Sequence, residues 1–236
     1  MSEDTQPLHA LSADAFIKAL QGETVLDENG KELNFLSYST VKIHNVKVEG
    51  LIVLGHETFT HSIEILSGQF GNFYINGGEF HNEFSIKGGK FNYLFIVTGE
   101  FHKEFSIRGG KFLMDFHIMQ GKFHNQFLIY EGEFLGDFVI WNGNFKKVEI
   151  NGSELLFHHL RLYTEICYEV KIDSMQINQL TFSNRLMNTG SIYLRNLSIN
   201  GLQFLDFENE GKLLIADVRA SGINKMIYRI YDIFCM

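Results

Sequence analysis

The sequence predicts an all-β protein, a parallel β-helix (β-solenoid) with coils of 21 or 22 residues. The first observation is an internal repeat, because the fourteen residues from Gly78 to Phe91 return as Gly99 to Phe112 with two residues changed. The second is a series of glycines, each opening a half-repeat of ten or eleven residues. The third is a set of apolar residues that follow each glycine at even offsets, as strands with one buried face require.

The half-repeat has the form G-x-F-x-x-x-F-x-I-x-x, and with the glycine at offset 0 its apolar residues fall at offsets 2, 6 and 8. Side chains two residues apart share one face of an extended chain, whereas a helix would need spacings of three and four. We therefore expect the following side chains to point inward: Phe80, Phe84, Ile86; Phe91, Phe95, Val97; Phe101, Phe105, Ile107; Phe112, Phe116, Ile118; Phe123, Phe127, Ile129; Phe134, Phe138, Ile140.

Successive half-repeats differ, since alternate ones carry His81, His102 and His124 at offset 3. The unit is therefore two halves, and a period in this range is typical of a solenoid whose units bury their apolar faces by stacking. An array of antiparallel hairpins turned at sites such as Asn76-Gly77 is the alternative, because Asn-Gly is a strong hairpin signal. It would leave one face of every Phe uncovered, so we favour the continuous coil.

The pattern of a small residue followed by a bulky apolar one, as in Gly78-x-Phe80 and then Phe84-x-Ile86, resembles the Phe-rich pentapeptide-repeat proteins. The resemblance covers about residues 57 to 150. It implies a four-sided right-handed β-helix, and the best-understood role in that family is protection of DNA gyrase by imitation of duplex DNA. The spacing between successive repeats here alternates between six and five residues, which gives coils of 21 or 22 residues, whereas the family's coils have twenty.

Three segments are expected. Residues 1–34 form a short N-terminal helical cap and entry, with a helix over residues 11–21 that Ser12 caps and whose apolar stripe, including Phe16, lies over the open end. Residues 35–220 form the solenoid, most regular over 57–152. Residues 221–236 form an apolar C-terminal segment containing Met226 and Ile227, which either caps the last coil or joins a second copy through residues 222–236.

Composition narrows the possible functions. The net charge is −8, but residues 68–152 hold nine acidic against eight basic residues, which disfavours both a basic nucleic-acid groove and an acidic rod. We therefore expect no direct binding to nucleic acid. Cys167 and Cys235 form no metal-binding or disulfide pattern. The N-terminus has no apolar signal region and no stretch is long enough to span a bilayer, so we expect a cytoplasmic protein without a membrane partner.

Two sets of polar residues are candidate sites. A column of His81, His102 and His124 could hold a transition metal, but no supporting residues can be identified, so we expect a solvated ladder without metal or cofactor. Asp115 and Asp137 lie one coil apart and are weak candidates for an acid and base acting on a polysaccharide. No Lys or Arg is obviously placed beside them, so we do not expect an enzyme.

Three aromatic residues, Tyr93, Tyr130 and Trp141, occupy outward or corner positions where a partner could stack on them. The sequence contains no recognisable nucleotide-binding or protease motif. We expect a non-enzymatic binding or scaffold protein that recognises a macromolecule, most readily a protein, along its rigid side. The alternatives are a carbohydrate-binding or polysaccharide-cleaving β-helix, a gyrase-directed DNA mimic, and a self-assembling structural protein.

Overall fold

A computed structural model describes residues 7–152, 155–163, 166–183, 190–205, 207–220, 223–225 and 228–235. The elements are β1 (His9–Leu11), α1 (Ala13–Leu20), β2 (Val25–Leu26), β3 (Glu32–Leu33), β4 (Leu36–Ser37), β5 (Thr40–Ile43), β6 (Val46–Leu54), β7 (Thr58–Phe59), β8 (Ser62–Ile65), β9 (Gly68–Phe80), β10 (Phe84–Ile86), β11 (Lys90–Phe101), β12 (Phe105–Phe112), β13 (Phe116–Ile118), β14 (Lys122–Trp141), β15 (Asn144–Asn151), β16 (Leu156–Tyr163), β17 (Ile166–Cys167), β18 (Glu169–Ser183), β19 (Ser191–Leu205), β20 (Phe207–Ala220), β21 (Ile223–Lys225) and β22 (Tyr228–Cys235).

The chain winds as a parallel β-solenoid in which each turn adds a rung to one ladder. Phe84 pairs with Phe105, 21 residues on, and Phe105 pairs with Phe127, 22 residues on. The same ladder runs through Val41, Ile63, Phe84, Phe105, Phe127, Val148, Val170, Ile192, Leu213 and Ile233. Because these pairings are parallel, the continuous coil is confirmed and the hairpin array is wrong.

Antiparallel pairing occurs, among the described residues, only before the regular coils, between β2 and β3 and between β4 and β5. At the other end, β22 pairs in parallel with β20 and continues the ladder. Met226 and Ile227, which the sequence assigned to the apolar C-terminal segment, lie outside the described residues.

Each turn contains four short segments that place apolar residues in the core, and we call these segments its four sides. In the turn that begins at Phe84, the buried residues are Phe84 and Ile86 on the first side, Phe91 on the second, Leu94 and Ile96 on the third, and Phe101 on the fourth. Equivalent residues of successive turns lie directly above one another, because the strands pair in register. The core is therefore a set of vertical columns.

Stacked phenylalanine rings fill these columns. On the fourth side Phe59, Phe80, Phe101, Phe123 and Phe145 stack with centroid separations of 4.6, 4.6, 4.8 and 4.6 Å and interplanar angles of 10° or less. These separations match the distance of about 4.8 Å between neighbouring strands, so the backbone spacing and the ring spacing agree. The predicted inward positions are confirmed in these coils with the exception of one half-repeat.

The prediction that Phe95 and Val97 point inward is wrong. Leu94 and Ile96 are the buried residues there, and the ring of Phe95 lies on the outer surface. The half-repeat from Gly89 to Gly99 has ten residues instead of eleven, so its second apolar pair falls one position earlier. In a strand, a shift of one residue moves a side chain to the opposite face.

The corner after the first side takes a left-handed backbone conformation in most coils. Near the two ends of the solenoid, the residues in this conformation are Asn45, Ser174, Asn196 and Asp217, with φ between 50° and 57°. In the central coils glycines such as Gly110, with φ of 97°, take over this corner. Asn and Asp tolerate this region better than other side chains, and Gly adopts it without strain.

The N-terminal helix covers the first coils, as expected. The hydroxyl oxygen of Ser12 accepts a hydrogen bond from the backbone N–H of Ala15 at 3.1 Å and caps α1. Phe16 is fully buried, and its ring lies 5.4 Å from that of Phe70 and 5.8 Å from that of Phe73. Among the described residues there is no helix of the length and apolar character needed to cross a bilayer.

Substitution of Phe105 by Ala should lower the free energy of unfolding by about 3–5 kcal/mol, the usual cost of removing a buried ring. Phe105 is fully buried between Phe84 and Phe127, at 5.2 and 5.4 Å. Urea unfolding followed by circular dichroism measures the loss. The control is Phe95→Ala, which removes an outward ring and should cost about 1 kcal/mol. Equal losses in the two variants would contradict the assignment of the inner face.

Candidate functional site

A column of apolar and aromatic side chains runs along the outside of the third side. We call this surface, formed by the outward side chains of residues 51–55, 72–76, 93–97, 115–119, 137–141 and 159–163, the third face. At its centre the rings of Tyr74 and Phe95 stack at 4.9 Å with an interplanar angle of 9°. Tyr93 lies 5.7 Å from Phe95, and His117 meets the other face of that ring edge-on at 5.0 Å.

Aliphatic and aromatic residues extend this column in both directions. Leu51 is 58% exposed and Val53 38% exposed at one end, and Met119 and Trp141 are 41% and 54% exposed along one margin. The Trp141 ring lies 5.5 Å from that of Tyr163. Single exposed apolar residues are ordinary, whereas a contiguous group on one face is a candidate interaction surface.

The two aspartates lie on the same face, in the column that contains Tyr93. The backbone N–H of Asp137 donates a hydrogen bond to Oδ1 of Asp115 at 2.9 Å. His159 Nδ1 lies 2.7 Å from Oδ1 of Asp137, and Arg161 Nη2 lies 3.3 Å from Oδ2. The expectation that no Arg is recruited to these carboxylates is therefore wrong, because the 22-residue pairing brings Arg161 beside Asp137.

This ionic cluster limits the chemistry open to the two carboxylates. Both oxygens of Asp137 are engaged by basic side chains, and Asp115 has His117 at 3.9 Å. Burial lowers the pKa of His117, while the negative charges of Asp115 and Asp137 oppose the shift. The arrangement is a network of mixed charge beside an aromatic surface, suited to orienting a polar group of a partner.

The predicted histidine column forms on a different surface, at the corner after the fourth side. The rings of His81 and His102 stack at 4.9 Å and 2°, and those of His102 and His124 at 5.1 Å and 8°. Nε2 of His124 lies 2.6 Å from Oε1 of Glu100, and Nε2 of His81 lies 3.4 Å from Oε2 of Glu79. The ladder is thus accompanied by carboxylates.

The remaining aromatic candidate, Tyr130, lies at the end of the first side, away from Tyr93 and Trp141. The guanidinium of Arg108 sits 5.1 Å from the centre of its ring, and burial raises the pKa of the Tyr130 hydroxyl. A cation over the ring face partly covers this side chain. Tyr130 therefore packs with its own neighbours and does not join the third face.

Charges on the first side alternate in sign between neighbouring turns. Lys147 Nζ lies 2.7 Å from Glu149 and 3.5 Å from Glu169, and Lys171 Nζ lies 3.1 Å from Glu149. Burial by itself would raise the pKa of Glu149, but the hydrogen bonds from Lys147 and Lys171 outweigh it, so its pKa is lowered. The surface here is a network of ion pairs with no single-sign stripe.

The buried cysteine adds no reactive site. Cys167 is 2% exposed and continues the phenylalanine column of the fourth side below Phe145. Burial raises the pKa of its thiol to about 12, far above neutral pH. Since the thiolate is the nucleophile and the metal ligand, this residue serves the core.

Some members of these clusters could not be recognised from the sequence. Tyr74 lies before Gly78, where the assignment of inward residues began, and Phe95 was assigned to the interior, so the stacked pair on the third face was missed. Arg161 and Glu100 were missed because their partners, Asp137 and His124, are 24 residues away along the chain. The spacing of one coil is the signal that could have found them, since it brings such residues to adjacent rungs.

Comparison with known proteins adds no relative to this description: no family model, curated protein or solved structure matches the chain. The candidate site must therefore be interpreted from its own geometry.

Replacement of Glu149 by Gln should flatten the dependence of stability on pH below 4.5, the ordinary pKa of Glu. A carboxyl whose pKa is lowered on folding contributes stability above its unfolded pKa, and the contribution is lost as the pH falls through the folded pKa. The wild type should therefore exceed the variant in stability at pH 7 and approach it at pH 3.5. Urea midpoints measured at several pH values test this.

The matched control is Glu133→Gln, which breaks an exposed pair with Lys111 at 2.8 Å. Exposed pairs contribute roughly 0–1 kcal/mol, so its pH profile should follow the wild type closely. A Glu149→Gln profile parallel to that of the wild type would show that the buried ion pairs add no pH-dependent stability.

Proposed function

We propose that this chain is a non-enzymatic binding protein whose third face contacts a folded protein partner. The single observation that carries the proposal is the contiguous outward column of Val53, which is exposed, and Tyr74 and Phe95, which are half-buried against each other, flanked by Tyr93 and Trp141. Aromatic side chains are enriched at the cores of protein interfaces and supply much of their binding energy.

The backbone under this column limits how a partner can bind. The strands of the third side pair with neighbours both above and below, so their N–H and C=O groups are used inside the ladder. A partner strand cannot add to this surface by backbone hydrogen bonds. Recognition has to proceed through side chains, and a rigid flat face suits a folded partner that presents apolar groups of its own.

The ionic cluster supports a partner with mixed character. Asp115, His117, Asp137, His159 and Arg161 border the apolar column and carry both signs of charge. Charged groups at the rim of an interface favour correct orientation more than raw affinity. We infer that the aromatic column supplies affinity and that these residues set the register of the partner.

A glycan is a less suitable ligand for the centre of this face. Sugars stack on the flat surfaces of aromatic rings, but Tyr74 and Phe95 cover each other's faces and His117 meets the remaining face of Phe95. The ring edges are left to meet a ligand. Engagement of Asp137 by His159 and Arg161 likewise favours binding over polysaccharide cleavage.

The relation to pentapeptide-repeat proteins is part of the same proposal. The four-sided turn with stacked inward phenylalanines supports kinship with that family, and the 21- and 22-residue steps suggest a divergent branch. The alternating charges of the first side favour a protein partner over imitation of DNA. Association of copies through residues 222–236 stays a prediction.

The test compares baits that differ only on the third face. Wild-type protein, the Tyr74→Thr/Phe95→Thr variant, and a Tyr130→Thr/Tyr168→Thr control are immobilised and exposed to native lysate. The retained protein is identified, purified, and titrated against each bait by calorimetry. We expect the third-face variant to bind at least tenfold more weakly, since loss of one anchoring aromatic commonly costs more than about 1.4 kcal/mol.

The control removes two aromatic rings from other sides and should bind like the wild type. Equal affinities for wild type and the Tyr74/Phe95 variant would remove the third face as the binding surface. Binding to purified polysaccharides that is lost on Trp141→Ala would instead favour the carbohydrate alternative.

A further inference from the structure

The histidine ladder and the carboxylate beside it converge on one point of the surface. Glu100, His102 and His124 each offer one ligand atom, and these three atoms lie within 4.8 Å of one another. Among the described residues this is the group of three His, Cys, Asp or Glu side chains close enough to share a metal ion. It lies outside the third face and is independent of the proposed function.

The packing of the core explains why these three side chains lie close together. Glu100 and His102 flank the buried Phe101, and His124 follows the buried Phe123 directly. The rings of Phe101 and Phe123 stack at 4.8 Å and 7°, which holds the two rungs in register. The side chains of Glu100, His102 and His124 therefore leave a rigid backbone, and only their own rotations separate them from a shared ligand geometry.

The distances suit a first-row transition metal. Zinc binds histidine nitrogen at about 2.0–2.1 Å and carboxylate oxygen at about 2.0–2.2 Å, so two ligand atoms on a tetrahedral ion are roughly 3.4 Å apart. Nε2 of His124 and Oε1 of Glu100, now 2.6 Å apart, would separate slightly. The widest pair would approach by no more than about 1.4 Å. The stacked rings of His102 and His124 would rotate so that one nitrogen of each points at the ion, a movement open to side chains at the surface.

We propose that Glu100, His102 and His124 form a binding site for a divalent first-row transition-metal ion with two imidazole nitrogens and one carboxylate oxygen. Water completes the coordination, because the site opens to solvent. This ligand set suits Zn²⁺, Ni²⁺ and Cu²⁺ and disfavours Mg²⁺ and Ca²⁺, which prefer oxygen ligands.

The neighbouring charges affect the site in opposite directions. The hydrogen bond from His124 and the charge of Lys122 hold the pKa of Glu100 below its usual value despite partial burial, so this ligand is anionic at neutral pH. Lys122 Nζ lies 3.7 Å from Oε2 of Glu100 and repels a cation there. Removal of the Lys122 charge should therefore tighten metal binding.

Titration of the full-length protein with Zn²⁺ alone, in competition with a chromophoric zinc indicator at pH 7.5, tests the site. One equivalent should bind. His102→Ala and His124→Ala should each weaken binding at least tenfold, Glu100→Gln should weaken it by less, and Lys122→Gln should tighten it by about threefold. With Cu²⁺ as the probe, the electron paramagnetic resonance spectrum should show coupling to two imidazole nitrogens.

The matched control is His81→Ala, which removes a histidine from the same column but outside the proposed ligand set and should keep Zn²⁺ affinity within about threefold of wild type. Circular dichroism confirms that each outward substitution leaves the solenoid folded. Failure of the wild type to bind Zn²⁺ at millimolar concentration would overturn the proposal. So would equal affinity of the wild type and a His102→Ala/His124→Ala variant, because binding would then reside on other histidines.

Discussion

The structure depends on the agreement between two distances, the spacing of hydrogen-bonded strands and the spacing of stacked aromatic rings. The rings of Phe80 and Phe101 lie 4.6 Å apart and their strands pair in register, and neighbouring strands are generally about 4.8 Å apart. Each turn that adds a rung of backbone hydrogen bonds therefore also buries another ring. Hydrophobic burial and backbone hydrogen bonding favour the same register, and any slip of the chain would sacrifice both.

The matched spacing of strands and rings in the core also sets how side chains are arranged on the outer surface. Because every rung lies above its equivalent, outward residues are also arranged in columns, and repeated sequence becomes repeated surface. The His81, His102 and His124 ladder is one result, and the column that contains Tyr93, Asp115 and Asp137 is another. The two surfaces differ in character because one is built from near-identical repeats and the other from repeats that have diverged.

Divergence has given the third face its chemical variety. Tyr74, Phe95 and His117 occupy equivalent positions in successive turns of one column, but the residue type differs from turn to turn. The aromatic rings of the earlier turns are therefore followed, in later turns, by the ionic cluster of Asp137, His159 and Arg161. A rigid scaffold with variable outer positions can present apolar anchors and orienting charges side by side, without any change to the core.

The sequence by itself determined the parallel coil, its 21- or 22-residue period, most of the inward phenylalanines and the Ser12-capped helix, because these depend on local alternation and on the repeat length. The tertiary structure decided that Phe95 faces outward, because the ten-residue length shows that one residue is missing from the half-repeat but does not show on which side of its second apolar pair. It alone placed Arg161 against Asp137 and Glu100 against His124, because those contacts depend on how corner geometry and side-chain rotation bring neighbouring rungs together, which no local pattern specifies.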